Sequence, residues 1–300
     1  MWRGLAGWLL ACGPLLAGQA PLEQAIEYIR SGRLNEAEKL LLTVNRDSPG
    51  AERTDFLLGS VQFSMGHLEA ALQSLERYTA AQPSDGVGWR MLGAVQAARG
   101  DYRSAGKALQ SACELAPKDP EACYYLGRNR YVLNQYDAAL DAYARAFQTG
   151  HKRWRIEQGQ ALALEALGRT GEAEASLRRA VSLNKGEARG HEDPRIELGA
   201  FLARQGRPQE ALAPLEEVLK TFPESTRAHL ELGRALLQVN RVEDAASHLQ
   251  RAVELEPGNW PAHLLLGKAY FRLGRSEEGE RHSALGQQGL TSESSSRNIR

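Results

Sequence analysis

The chain predicts an all-α repeat fold, a solenoid of antiparallel helix pairs, on three observations. Glycine returns at a 34-residue interval, as in Gly59, Gly93 and Gly127 and again in Gly233 and Gly267. Alanine recurs twelve residues after these places, at Ala37, Ala71, Ala105, Ala139, Ala173, Ala211 and Ala245. A second glycine (Gly32, Gly66, Gly100, Gly168, Gly206, Gly274) and a proline (Pro49, Pro83, Pro117, Pro223, Pro257) punctuate the copies. A period of this length decides the fold, because each unit buries its apolar face only against its neighbours.

Aligning the small residues gives eight units: 18–51, 52–85, 86–119, 120–153, 154–187, 192–225, 226–259 and 260–293. In each, the first helix places apolar residues at positions four, seven and eleven around the small eighth residue. At about 100° per residue these share one face. Small residues at positions eight and twenty let the two helices cross closely. Glycine at position fifteen ends the first helix where a positive φ is wanted. Proline at position thirty-two stops the second helix or starts the next.

Departures from the pattern carry expectations too. The fourth unit has Gly150 and His151 in place of its closing proline, and the fifth has Ala161 and Lys185 at the glycine and proline positions. Extra residues in the linker from Asn184 to Pro194 read either as a longer surface loop or as a slight break dividing five units from three. In the last unit Gly279 and Ser283 replace the packing alanine and leucine, which predicts a polar capping helix that frays. The Ser-rich, apolar-poor stretch 291–300 is expected to be disordered.

These marks together resemble the tetratricopeptide repeat family over about residues 18–293. The resemblance implies a right-handed superhelix of about eight repeats. It also implies a concave groove, lined by positions two, five, nine, twelve and thirteen of the first helices, that binds extended peptides or helices. The partner-binding candidates are therefore Phe56, Phe63, Arg90, Tyr124, Arg128, Tyr131, Arg155, Arg227, Leu230, Arg234, Leu264, Lys268 and Phe271. At position twelve, Phe63, Tyr131 and Phe271 have a second reading as core. The full stripe also holds Arg30, Arg53, Arg204 and Arg272 against only three acids, Glu121, Glu165 and Asp193. That excess points to an acidic or carboxylate-bearing partner whose affinity falls with salt, and arginine beside aromatic rings is the composition of interface hot spots. A chaperone-tail clamp of the kind known in this family wants lysine and asparagine in its first units. Leu22, Ile26, Phe56 and Ser60 stand there, with Ala94 beside Arg90, so that use is not expected.

Bulk chemistry narrows the reading further. With 37 basic and 37 acidic residues there is no net charge to draw the chain to nucleic acid or an anionic membrane. No GxSxG elbow, P-loop, HExxH or paired CxxC occurs. None of the seven histidines shares an i, i+4 face with another, and His229 and His263, at position four of successive units, read as packing residues. Neither an enzyme nor a metal or cofactor is expected. Cys113 and Cys123 flank the turn around Pro117, and read either as a bridge or as small apolar packing sites. Residues 1–20 have the order of a secretory signal peptide: Arg3, an apolar run from Leu5 to Leu16, then small residues. The run is shorter than the ~20 residues of a spanning helix; an uncleaved anchor or a lipidated Cys12 are the alternatives. The expected function is a non-catalytic scaffold, exported to the periplasm or outside a bacterium, that holds a partner's peptide in its groove. The alternative is a substrate-presenting accessory subunit of an envelope enzyme, secretion or glycan-export complex.

Overall fold

A computed structural model of the chain describes residues 20–44, 51–149, 152–188 and 190–298. The leader expected at 1–20 lies outside them save for its last residue, as do Gly150 and His151. The described residues form sixteen α-helices and a short 3-10 turn (Gly190–Glu192), with no strand. Two compact units divide between residues 151 and 152. The first unit holds the pairs α1 (Ala20–Arg30) and α2 (Leu34–Thr43), α3 (Ala51–Ser64) and α4 (Leu68–Ala81), α5 (Gly86–Ala98) and α6 (Tyr102–Leu115), and α7 (Pro120–Val132) and α8 (Tyr136–Gln148). The second holds α9 (Arg153–Ala166) and α10 (Thr170–Leu183), α11 (Pro194–Arg204) and α12 (Pro208–Thr221), α13 (Thr226–Gln238) and α14 (Val242–Leu255), and α15 (Trp260–Arg272) and α16 (Ser276–Asn298).

Local chemistry explains the helix ends. Gly100, at φ +83°, turns the chain between α5 and α6, and the glycines at the same place in five other repeats share that conformation. Where glycine is missing, Asn134 and Asn240 take the left-handed region instead. In five repeats the residue before the first helix caps it: Asp85, Asp119, Asp193, Ser225 and Asn259 each accept a backbone N–H from the first turn. Five of the second helices open on a different device, an arginine paired with an acid three residues on, at Arg33–Glu36, Arg169–Glu172, Arg207–Glu210, Arg241–Asp244 and Arg275–Glu278, whereas Asp101 caps α6.

Each pair packs through its small eighth residue, and successive pairs stack in chain order within a unit. First helices also touch one another, α3 with α5 and α5 with α7 in one unit, and α9, α11, α13 and α15 in sequence in the other. The linker at 184–194 does not part the array, since α11 packs on both α9 and α10. Ala188 is buried there, and Asn184 accepts its backbone N–H at 2.9 Å. Cys113 and Cys123 are bridged, joining the end of α6 to the start of α7.

At the C-terminal end α16 runs to Asn298, into the stretch 291–300. Its glycines let α15 come close. A Cβ on Gly279, Gly286 or Gly289 would fall within 2.8 Å of Phe271, Leu264 or Trp260 respectively. Close approach thus takes the place of the lost alanine and leucine at this contact.

Position four of the first helix reaches into the second helix of its repeat or to the turn before it. Asp55 accepts from Arg77 at 2.9 Å, and Glu157, 4% exposed, accepts both Nε and Nη2 of Arg179 at 2.9 Å. Ser74 and Ser176 brace the two arginines. Trp89 donates its indole N–H to the carbonyl of Pro83, while His229 and His263 each meet a second histidine, His248 and His282. A search for i, i+4 histidines misses these pairs because their members stand on different helices.

Candidate partner-binding groove

The candidate residues stand on α3, α5 and α7 in the first unit and on α9, α13 and α15 in the second. In the first unit Phe56 is half-buried, its ring 5.0 Å from that of Tyr78. Phe63 packs against the cluster of Ala71, Leu75, Leu92, Val95 and Ala108, so it serves the core. Tyr124 lies 6.0 Å from the ring of Tyr143, and Tyr131 5.6 Å from that of Tyr136. Burial, and secondarily Tyr124, pushes the Tyr143 phenol well above its ordinary value, so it stays neutral. Arg128 stands exposed between Tyr124 and Tyr131 on α7.

In the second unit Leu230 is only 9% exposed, and what remains of it lines a surface pocket together with Arg227 and His191. Leu264 is half-buried against Gly286, whereas Phe271 leaves 45% of its surface exposed beyond Gly279. Lys268 stands exposed between them.

The basic stripe is not a free one. Arg90 donates to Asp119 at 2.8 Å and to Glu121 at 3.1 Å, tying repeat three to repeat four. Arg155 lies 3.8 Å from Glu192, and Arg227 pairs with Glu197 and donates to the carbonyl of His191 at 3.3 Å. Arg204 spans to Glu165 at 2.9 Å, and a hydrogen bond to that carboxylate is the main influence raising the guanidinium's pKa. Arg234 approaches Glu231 at 3.6 Å with its Nε buried, and Arg272 donates to the carbonyl of Leu237 at 2.8 Å. Glu27, Asp119, Glu192, Glu197 and Glu231 were outside the stripe as read from sequence, yet each pairs with one of its arginines. Asp193, counted within it, is buried as the cap of α11 and bound by Arg195. Among the described residues, Arg53, Arg128, Lys268 and Arg272 of the stripe make no ion pair, and of these Arg272 is held by Leu237 and Asn240. No group of three or more potential metal ligands gathers among the described residues, and no helix there is long and apolar enough to cross a membrane.

Comparison with known proteins places the fold. A tetratricopeptide repeat profile matches residues 22–86, 56–120, 124–188, 198–259 and 230–281. No curated protein sequence matches the chain. A crystal structure of a tetratricopeptide repeat protein from Parabacteroides merdae aligns with TM-score 0.67 at 19% identity, over 84% of this chain and 98% of that one. The Cut9 and Hcn1 hetero-tetramer of APC/C aligns with TM-score 0.63 at 16% identity, over 83% of this chain and 48% of that one. A MamA crystal structure aligns with TM-score 0.53 at 21% identity, over 57% of this chain and 93% of that one. At such identities the structures speak for the fold alone, but the profile spans most of the chain and its units coincide with the observed helix pairs. The chain belongs to the tetratricopeptide repeat family.

Proposed function

We propose that the chain is a non-catalytic scaffold that holds an extended or helical segment of a partner protein along its first helices. One arrangement carries this reading. In repeats four and eight an exposed cation at position nine, Arg128 or Lys268, lies between an apolar-faced residue at position five and an aromatic ring at position twelve. The flanking pairs are Tyr124 with Tyr131, and Leu264 with Phe271. A basic head set among apolar side chains suits a segment that alternates carboxylates with apolar residues. The protein–protein interactions common to the family support the same reading. The bridge between Cys113 and Cys123 supports an exported, periplasmic or extracellular setting, because disulfides persist in oxidising compartments.

Affinity capture of the mature protein from its native envelope tests the proposal, with Arg128→Glu and Lys268→Glu introduced together. Loss of the captured partner is expected; unchanged capture refutes the groove reading. A glycan-handling or secretion enzyme as the captured partner would instead identify an accessory subunit.

A further inference from the structure

Two histidine pairs recur in the second unit, one repeat apart. His229 of α13 meets His248 of α14, and His263 of α15 meets His282 of α16, each Nδ1 lying 3.0 Å from the other. The first ring of each pair is 8% and 5% exposed, respectively, and the second is half-buried. Nε2 of His229 lies 2.9 Å from the carbonyl oxygen of Pro223, and Nε2 of His263 lies 3.1 Å from that of Pro257. Repeat three shows the role of this contact. Trp89 holds the same position, and its indole N–H, a donor only, reaches the carbonyl of Pro83 at 2.9 Å.

A carbonyl only accepts, so neutral His229 and His263 carry their proton on Nε2 and present Nδ1 as an acceptor. His248 and His282 must then donate from Nδ1. Ring centroids 5.2 and 5.1 Å apart, with the nitrogens at 3.0 Å, mean that the rings meet nearly nitrogen to nitrogen. That is a shared proton along one line, whereas two ligands of one metal converge on a point off it. One extra proton on a pair goes to Nε2 of His248 or His282, the nitrogen outside the contact. A second would set N–H against N–H and place charge in the packed interior.

We propose that these paired histidines make α13–α16 an acid-labile end of the second unit, which loosens in mild acid while the first unit keeps its packing. Glu216 of α12, Arg241 just before α14, and Asp244 and Arg251 of α14 face the first pair; Glu278 and Arg281 of α16 and Tyr270 of α15 face the second. Burial is the largest influence on His229, His248 and His282 and holds each below the ordinary histidine value, against the opposing pull of the carboxylates on His248 and His282. A ring kept neutral in the fold takes up a proton when the fold opens. Its contribution is therefore full above the ordinary histidine value and is lost as pH falls below it.

Hydrogen exchange on the full chain, corrected for intrinsic rates, tests this at neutral pH and one unit below the ordinary histidine value. Protection in α13–α16 should fall by about tenfold for each histidine held neutral, with α3–α8 unchanged. A variant with His229→Trp, His248→Ala, His263→Trp and His282→Ala copies Trp89 opposite Ala108 and should abolish the loss. Equal behaviour of the two units in the native chain overturns the proposal, as does a loss that persists in the variant. Should the variant fail to fold, nitrogen-15 NMR of the native chain decides. A proton on Nε2 of His229 and His263 at neutral pH upholds the arrangement, and one on Nδ1 overturns it.

Discussion

Leu109 rests directly on Gly93, so that a Cβ on the glycine would stand 2.6 Å from Leu109 Cγ and 3.3 Å from the carbonyl of Ala105. The same approach recurs at Gly59 with Leu75, Gly199 with Leu215 and Gly233 with Leu249. Gly93→Leu must push α5 and α6 apart, at an expected cost of ~1–3 kcal/mol. Urea unfolding checks it through a lower midpoint at unchanged slope. A variant as stable as the native chain would remove close approach as the reason for this glycine.

Gly100 is required for a different reason. Its φ is +83° and a Cβ there would meet nothing within 4 Å, so only the backbone is strained by substitution. Gly100→Ala should cost about 1 kcal/mol. Gly100→Asn should cost less, since Asn134 and Asn240 hold the equivalent turns at φ 58° and 63°. The ranking is read from thermal unfolding, and alanine matching or exceeding asparagine would contradict it.

The Glu157–Arg179 pair couples a buried carboxylate to an arginine that is more than half exposed. Arg179→Ala leaves the carboxylate without its charged donor, and about 1–3 kcal/mol should be lost. Adding Glu157→Ala to that variant should cost less than Glu157→Ala costs in the native chain. A double-mutant cycle measures the coupling, and strict additivity would show that the pair contributes nothing.

Closing a loop of ten residues, the Cys113–Cys123 bridge should stabilise the first unit by roughly 2–3 kcal/mol through the unfolded chain. Replacing both by serine should lower the unfolding midpoint of α6 and α7, with the second unit unaffected. Alkylation and mass measurement of unreduced protein checks the bridge itself, and two labelled thiols would refute it.

Salt should separate the two kinds of arginine on the groove. Partner binding through Arg128 should weaken from low salt to about 0.5 M, where screening lengths fall to a few ångströms. Arg90→Gln, by contrast, should cost stability rather than binding, because Arg90 is engaged with Asp119 and Glu121. Isothermal titration with the captured segment distinguishes them; salt-independent binding would remove the charge component.

Much of this architecture was legible because its causes are local. The turn at Gly100 needs only its own φ, and the face of α5 that packs on α6 follows from the helical period of Leu92, Gly93 and their neighbours. The charge pairing was not legible. Glu197 and Glu231 sit at position six, one step off the stripe chosen for the groove, and yet they hold Arg227 and Arg234. Arg204 finds Glu165 across 39 residues, which depends on how α11 lies against α9. The histidine partners were hidden likewise, although their common 19-residue separation, repeated after 34 residues, was a usable signal.

The sequence by itself therefore determined the repeat, its helix pairs and their closing turns, since propensity, periodicity and backbone conformation act over a few residues. Only the tertiary structure decided which cations of the stripe are held in ion pairs within the frame. It alone showed that Cys113 lies beside Cys123 and that His229 lies beside His248. Those outcomes depend on distances between side chains on different helices, which the packing of one repeat on the next sets to within an ångström.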